Sequence, residues 1–190
     1  MIIESILTTV DAEGQVNCAP MGVEWGREII VIKPFKETTT YRNLLVNDAA
    51  VVNLTDNVLL FAQSAIASPI FPTRPAEVVI GAVLQDVCSW REVRVEALPS
   101  SVSRARASPA RVVRRGFARE FLGFNRARHA GGFGSAILAT RTHMLTREYI
   151  LAEFERLQVI VDKTAGAFQE FEAMRLLTDF VHQALAVTGT

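Results

Sequence analysis

Apolar and polar residues alternate or form short runs in the first two-thirds of the chain, a spacing typical of β-strands. The pattern predicts strands at 2–10, 15–25 and 29–33, separated by short polar turns. Short antiparallel strands joined by tight turns favour a barrel or a sandwich. Pro20 and Gly22 would interrupt a regular ladder, so the second strand is predicted to bulge or to lie at an edge.

Further elements follow in a mixed order. The pattern predicts helices at about 39–47 and 57–67, the second capped by Asp56, and a buried strand at 49–54 between them. The other predicted elements are a loop containing Pro69, Pro72 and Pro75, strands at about 77–84 and 87–98, a mobile hairpin loop at 99–111, and a last short strand at Val112 and Val113.

From about residue 126 the apolar positions take the spacing of amphipathic helices. We predict helices at 148–161 and 168–186, preceded by one at about 136–145. Glycine disfavours helix, so the run at 131–134 is expected to delay the start of that earlier helix. A strand-rich part followed by a helical part indicates an α+β protein with segregated elements.

The length of 190 residues suits a large domain with a helical appendage. The spacing of apolar residues changes from that of strands to that of helices near residue 126, which divides the chain into 1–125 and 126–190.

The formal net charge is zero, but residues 91–128 carry 10 basic and 3 acidic side chains. Clustered arginines are one signature of a nucleic-acid surface. Their alternation with apolar residues favours a solvated sheet face, and a pocket for a polyanion is a third interpretation.

Other classes of function lack a signature in the sequence. The first residues do not form a secretory signal, and the longest apolar run is too short to span a bilayer. Cys18 and Cys88 fit reduced thiols, and we expect a cytoplasmic protein that does not bind a membrane. No dinucleotide or P-loop fingerprint and no nucleophile elbow occurs, and the histidines and cysteines are too widely spaced to predict a metal site.

A polar stretch joins the third strand to the first predicted helix. It carries Lys33, three consecutive hydroxyls at Thr38, Thr39 and Thr40, and Arg42. Free N–H groups, the helix dipole and fixed positive charge together suit a phosphate. Threonine is also an ordinary N-cap residue, so helix capping alone explains the same pattern.

A second polar stretch lies at the junction of the two parts. Aromatic residues there alternate with polar ones, namely Phe121, Phe124, Asn125, Arg126, Arg128 and His129. Such a junction often lines a cleft. Alternatively the aromatic rings belong to the core and the polar residues cap the first C-terminal helix.

Five short motifs follow one another in a fixed order. They are NCAPMGV at 17–23, KPF at 33–35 continued by TTTYRNL at 38–44, AVVNLTD at 50–56, GFNRARHA at 123–130 and VDKTAG at 161–166. This order resembles the domain-of-unknown-function family 447, within the flavin-reductase-like group of FMN-binding split-barrel proteins.

The resemblance implies a six-stranded antiparallel split β-barrel with a helical C-terminal extension, assembled as a homodimer that binds FMN. Thr38, Thr39, Thr40 and Arg42 would hold the phosphate, while the strand at 17–22 and the stretch at 53–56 would follow the ring and the ribityl chain. The implied cofactor-binding residues are Asn17, Met21, Gly22, Lys33, Thr38, Thr39, Thr40, Tyr41, Arg42, Asn53 and Asp56.

The same resemblance implies an FMN-dependent oxidoreductase acting on a small substrate, for which a pterin is one candidate. Asn125, Arg126, Arg128 and His129 would face that substrate, with His129 as proton donor. In the family we expect a regular apolar helix after this motif, whereas this chain has glycines at 131–134. The alternative is a non-catalytic protein that binds nucleic acid or another polyanion through residues 91–128.

Overall fold

The computed structural model describes residues 1–98, 107–166 and 168–187. Its strands are β1 (Ile2–Val10), β2 (Val16–Glu24), β3 (Ile29–Ile32), β4 (Ala49–Leu54), β5 (Thr73–Pro75), β6 (Ala82–Leu84), β7 (Ser89–Val95) and β8 (Ser108–Phe117). Its helices are α1 (Thr39–Val46), α2 (Val58–Ile66), α3 (Arg126–Arg128), α4 (Ser135–Ala139), α5 (Arg147–Thr164) and α6 (Phe168–Val187), with a π-helical segment, His129–Gly134, between α3 and α4.

Six of the strands close an antiparallel barrel in the order β1-β2-β3-β8-β7-β4. The short strands β5 and β6 pair only with each other and form a separate ribbon. The helices from α3 onward follow the last barrel strand. The predicted α+β fold, a six-stranded antiparallel barrel with a helical C-terminal extension, is therefore confirmed.

Alternate residues of every strand point into the barrel. Most of these inward-facing residues are apolar, so the inside of the barrel forms a hydrophobic core. The buried cluster is formed by Leu7, Val23, Ile30, Ile32, Leu44, Ala50, Val52, Val93, Val95 and Ala110. The second half of β1 is buried on both faces, since the β5–β6 ribbon covers its outer side, where the Thr8 hydroxyl donates to the carbonyl of Ala82.

The outer edge of β2 is open for most of its length. The β1–β2 ladder runs from Ile2 opposite Glu24 to Val10 opposite Val16, whereas β2 meets β3 only where Glu24 pairs with Val31. No described strand pairs with the other side of 16–23. Of the two predictions for Pro20, the edge position is correct and the bulge is wrong, since the β1–β2 ladder runs through Pro20 without a register shift. A free edge tolerates proline because it does not need the backbone N–H group that proline lacks.

The structure corrects the sequence prediction around β8. Of the predicted loop at 99–111, residues 99–106 lie outside the described part, but 108–111 belong to a strand that continues to Phe117. Serine and proline at Ser108 and Pro109 suggested a loop. Pairing with β3 on one side and β7 on the other overrides that local preference.

The predicted strand at 77–84 is also too long, because only its last three residues form a strand, β6.

A buried carboxylate holds the loop that precedes β6 in place. Glu92 on β7 accepts the backbone N–H groups of Glu77 at 3.0 Å, Val78 at 2.7 Å and Val79 at 3.2 Å. Burial by itself would raise the pKa of Glu92, but these three donors and the Trp90 indole outweigh it and leave the pKa below its ordinary value.

The chain forms two compact units, and α2 belongs to the second although it lies between barrel strands in sequence. The first unit is Met1–Thr55 with Ser68–Phe121, and the second is Asp56–Ala67 with Leu122–Thr190. The boundary predicted at 125 and 126 stays a prediction. No helix in the described ranges is long and apolar enough to cross a membrane.

In the second unit, α2 is capped by Asn57, whose side-chain oxygen accepts the N–H of Leu59 at 3.0 Å. The prediction that Asp56 caps this helix is wrong. The Asp56 carboxylate instead accepts the N–H of Leu122 at 3.2 Å and lies 3.8 Å from the guanidinium of Arg128.

The glycine run at 131–134 is helical, so the expected delay of the helix start is wrong. A β-carbon at Gly131 would lie 2.9 Å from the Val161 side chain, and one at Gly132 would lie 2.6 Å from Val58. These glycines are therefore needed for close packing against α5 and α2. The tertiary packing compensates for the low helix propensity of glycine.

Candidate functional site

The start of α1 positions the predicted hydroxyl cluster. Thr38 is the N-cap, since its hydroxyl oxygen accepts the N–H of Tyr41 at 3.3 Å and its hydroxyl donates to the carbonyl of Phe35 at 2.6 Å. Thr39 is exposed, and its hydroxyl oxygen accepts a hydrogen bond from the Arg42 guanidinium at 2.9 Å. Capping by Thr38 thus leaves the Thr39 hydroxyl and Arg42 at the helix surface.

The first turn of α1 also presents free donors. The first N–H groups of any helix lack intrahelical acceptors. The hydroxyl oxygen of Thr38 accepts the N–H of Tyr41, but the N–H groups of Thr39 and Thr40 donate to no acceptor within the described ranges. No described carboxylate forms an ion pair with Arg42. This turn therefore combines backbone donors, a hydroxyl and an unneutralised guanidinium, which together suit an anion.

Polar side chains from β1 and β2 reach the same helix. Asn17 on β2 donates to the hydroxyl oxygen of Thr40 at 3.1 Å, and Asn43 on α1 donates to that of Thr9 on β1 at 3.1 Å. A pocket of about 240 Å³ opens here. Its wall includes Asn17, Thr39 and Asn43, so the structure brings together residues that are far apart in sequence.

Cys18 lies in the same pocket wall as a buried thiol. Burial raises its pKa from 9.0 to about 11, so the thiol stays protonated and uncharged at neutral pH. It therefore contributes a neutral surface to the pocket and is a poor nucleophile.

Three other predicted cofactor residues lie on β2 or just after β3. Met21 is partly buried against the barrel core, and its carbonyl accepts a hydrogen bond from Ser5 at 2.9 Å. A β-carbon at Gly22 would lie 3.0 Å from the Ile2 side chain, so packing between β1 and β2 explains this glycine. Lys33 forms an ion pair with Glu24, whose pKa it lowers through a hydrogen bond and its charge.

Asn53 and Asp56 are both buried. The Asn53 amide donates to the Ile6 carbonyl at 3.1 Å, and its oxygen accepts the N–H of Leu84 at 3.0 Å, so it links β4 to β1 and β6. Asp56 belongs to the second unit and lies against Arg128. Neither side chain lies at the pocket beside α1, and their predicted cofactor contacts stay a prediction.

The residues predicted to face a substrate have different environments. Asn125 accepts the N–H of Arg128 at 2.8 Å, as a capping residue does. Arg128 donates to Glu170 at 2.9 Å and to the Gly123 carbonyl at 3.2 Å, with only 20% of its side chain exposed. Arg126 begins α3. His129 is exposed, and its ring meets that of Phe133 edge to face at 6.2 Å.

Most described arginines of the basic segment are neutralised by carboxylates. The pairs are Arg94 with Asp48, Arg111 with Glu96, Arg114 with Glu77, Arg115 with Glu28, Arg119 with Asp86 and Arg128 with Glu170. Arg91 lies over the Trp25 ring instead. This pairing weighs against a polyanion-binding surface, because binding there would have to break ion pairs.

Sequence reasoning missed Cys18 and Asn43, which line the pocket beside α1, and Thr9, which accepts a hydrogen bond from Asn43. Asn43 was visible as a polar residue one helical turn after Thr39 and Thr40, and Cys18 as the neighbour of Asn17. Thr9 is a buried hydroxyl on β1, and nothing in its local sequence indicates which helix covers it.

Solved structures with this fold share little sequence with the chain. An FMN-bound protein from Methanosarcina mazei, described by the DUF447 family model, is 22% identical with a TM-score of 0.80, and the match covers 94% of each chain. The 2-nitrobenzoate 2-nitroreductase of Pseudomonas fluorescens is 16% identical with a TM-score of 0.53, over 60% of this chain and 64% of that one. Component B of nitrilotriacetate monooxygenase from Bacillus cereus is 19% identical with a TM-score of 0.51, over 60% and 69%.

The flavin-reductase-like barrel expected from the resemblance is thus confirmed at the level of the fold. None of the curated proteins matches the chain. A family model does match, over residues 3–115, which extend from the second residue of β1 to the eighth of the ten residues of β8 and so include nearly all of the six barrel strands. The chain therefore belongs to the family described as protein of unknown function (DUF447), N-terminal domain.

Proposed function

We propose that this chain is an FMN-binding flavoprotein that holds the cofactor's phosphate at the start of α1. The observation that carries the proposal is the group formed by the Thr39 and Thr40 N–H donors, the Thr39 hydroxyl and Arg42. Helix N-termini with fixed positive charge suit phosphate groups. The FMN-bound protein from Methanosarcina mazei, which shares the fold over 94% of this chain, supports FMN as the ligand.

In this proposal each residue has a defined part. Arg42 and the Thr39 hydroxyl bind the phosphate oxygens, while Asn17 and Asn43 hold the helix start against β2 and β1 through Thr40 and Thr9. The open edge of β2 leaves backbone groups available to hydrogen-bond a flavin ring. Bound FMN supplies hydride or electron transfer.

We further propose an oxidoreductase activity on a small-molecule substrate. Structures that share the fold support the reaction class, since one is named a nitroreductase and another a putative flavin reductase. Glu170 and Asp56 hold Arg128 within the second unit, so a substrate role for Arg128 would require it to leave these partners.

The phosphate site is tested by titrating the purified protein with FMN and with riboflavin, which lacks the phosphate. Replacing Arg42 by Gln removes a charge-assisted hydrogen bond, a loss of about 1.5–3 kcal/mol that corresponds to roughly 10- to 150-fold weaker FMN binding. Riboflavin affinity should stay unchanged. Thr39→Val should weaken FMN binding by a smaller factor in the same selective way.

Arg94→Gln is the matched control, since Arg94 lies in the same unit but pairs with Asp48 on the surface. It should bind FMN like the natural protein. A wild-type protein that takes up neither flavin contradicts the flavoprotein proposal. Flavin binding that Arg42→Gln leaves unchanged contradicts only the position of the phosphate.

A further inference from the structure

A cleft in the second unit lies outside the α1 site. It has a volume of about 620 Å³ and lies between the π-helical segment and α5. Small-molecule sites in proteins commonly have volumes of about 300–1,000 Å³. The cleft is therefore large enough for a ligand with one or two rings.

One side of the cleft is apolar. Leu157, Val159 and Ile160 line it from α5, while Ala130 and Gly134 line it from the π-helical segment. A side chain at Gly134 would extend toward α5, since its β-carbon would lie 3.7 Å from both methyl carbons of Leu157. The glycine therefore keeps this side of the cleft open.

The other lining residues are polar, and two of them, Arg156 and Lys163, are cationic. His129, Arg156 and Lys163 line the cleft, and no aspartate or glutamate is among the described residues that do so. Arg156 pairs with Glu153 at 2.8 Å, three residues earlier on the same helix. Lys163 is exposed and forms no ion pair with any described carboxylate. An ammonium group thus stands beside an apolar wall without a counter-charge.

The backbone conformation is also unusual here. Single π-helical turns are rare and often occur at functional sites. This one begins at His129, a residue predicted to face a substrate that also lines the cleft.

We propose that this cleft binds a small organic anion with an apolar body, such as an aromatic carboxylate or phosphate ester. The apolar part packs on Leu157 and Ile160, and Lys163 pairs with the anionic group, with Arg156 beside it. Binding here does not depend on flavin, because every lining residue belongs to the second unit and none to the α1 pocket.

Isothermal titration calorimetry with 2-naphthoate and its neutral counterpart 2-naphthamide tests the proposal on the full chain. The naphthoate should bind with one-to-one stoichiometry and about fivefold tighter than the amide, the advantage of one partly exposed charge pair. Lys163→Gln should remove that advantage and leave amide binding unchanged. 2-Naphthyl phosphate, titrated in parallel, shows whether phosphate or carboxylate is preferred.

Arg175→Gln is the matched control. Arg175 pairs with Glu172 three residues earlier on α6, as Arg156 does with Glu153 on α5, but it does not line the cleft. It should leave both affinities unchanged, whereas Arg156→Gln should weaken naphthoate binding. Gly134→Leu should fill the cleft and abolish binding of both ligands while the circular dichroism spectrum stays native.

Three results would overturn the proposal: no measurable binding of naphthoate, equal effects of Lys163→Gln and Arg175→Gln, or displacement of naphthoate by FMN. The last result would place the probe in the flavin site. Since FMN and naphthoate are titrated separately, failure of this proposal is distinguishable from failure of the flavin proposal.

Discussion

At the scale of single residues, buried polar side chains hold the loops and helix ends of this protein in place. Glu92 is fully buried and receives three consecutive backbone N–H groups, and Asn53 links three strands through its amide. A buried polar group without such partners lowers the free energy of unfolding, so these hydrogen bonds are needed for the stability of the folded protein.

Glu92→Gln should destabilise the protein in a pH-dependent way. The charged carboxylate accepts four hydrogen bonds, and its loss should cost about 1.5–3 kcal/mol at pH 7. Because its folded pKa is depressed below 4.5, its contribution is fully present above the unfolded pKa and is lost as the pH falls through the folded pKa. The difference between wild type and variant should therefore shrink as the pH falls below 4.5, the ordinary pKa of a glutamate.

Urea unfolding at pH 7 and near pH 3 measures this difference. Glu96→Gln serves as the control, because Glu96 pairs with Arg111 at the surface and should change stability by less than about 1 kcal/mol. A stability difference between wild type and Glu92→Gln that does not vary with pH would mean that folding does not lower the pKa of Glu92, which would contradict the role given to its hydrogen bonds.

Sequence reasoning identified the polar stretch at α1 but not all of its partners. Thr38, Thr39 and Arg42 lie close together along the chain, so helix geometry alone predicts that they share one helix start. Thr9 meets α1 through its hydrogen bond with Asn43, and local sequence does not specify that this helix packs on β1. Thr38 caps the helix and Thr39 stays exposed because the helix begins at Thr39. Sequence patterns do not fix a helix start to within one residue, so they could not tell which threonine is the cap.

At the scale of elements, the period of apolar residues predicted most strands and helices but not their ends. β1, α1 and β4 match their predicted bounds to within about a residue because local pattern and tertiary burial agree. At β8 and in the glycine run at 131–134, local propensity opposes the structure. There the partner strands and the packed helices decide, and one sequence without its contacts cannot reveal them.

The π-helical segment offers a matched pair of glycine substitutions. Gly132→Ala should destabilise by about 1–3 kcal/mol, because its β-carbon would lie 2.6 Å from Val58. Gly134→Ala should be neutral or stabilise by up to about 1 kcal/mol, since its β-carbon meets only ordinary contacts at 3.5–3.7 Å. Urea denaturation of both variants checks this, and equal effects would contradict the packing given for Gly132.

At the scale of the whole molecule, we propose that two copies of the chain associate. Several large apolar side chains of the first unit are exposed, among them Ile70 at 95%, Phe117 at 73% and Ile80 at 65%. Exposed apolar surface of this kind often marks an interface. Light scattering should give a mass of about 42 kDa, twice the 20.9 kDa of one chain.

A mass of one chain at micromolar concentration would contradict this proposal. The variant Phe117→Ser offers a second measurement, because it removes an exposed apolar ring without emptying the core. If Phe117 lies in the interface, the variant should shift the equilibrium toward single chains. Exposed Tyr149 on α5 provides a control position in the other unit, and Tyr149→Ser should leave the mass unchanged.

The grouping of α2 with the C-terminal helices sets the order in which the chain can finish folding during synthesis. Domains tend to fold as they leave the ribosome, N-terminal parts first. Val58, Phe61 and Ala62 are at most 1% exposed in the folded protein, and α6, against which α2 packs, is synthesised more than 100 residues after α2. A nascent chain ending at residue 121 has all its barrel strands but carries an uncovered apolar helix, so we expect chaperones to bind it until α6 emerges.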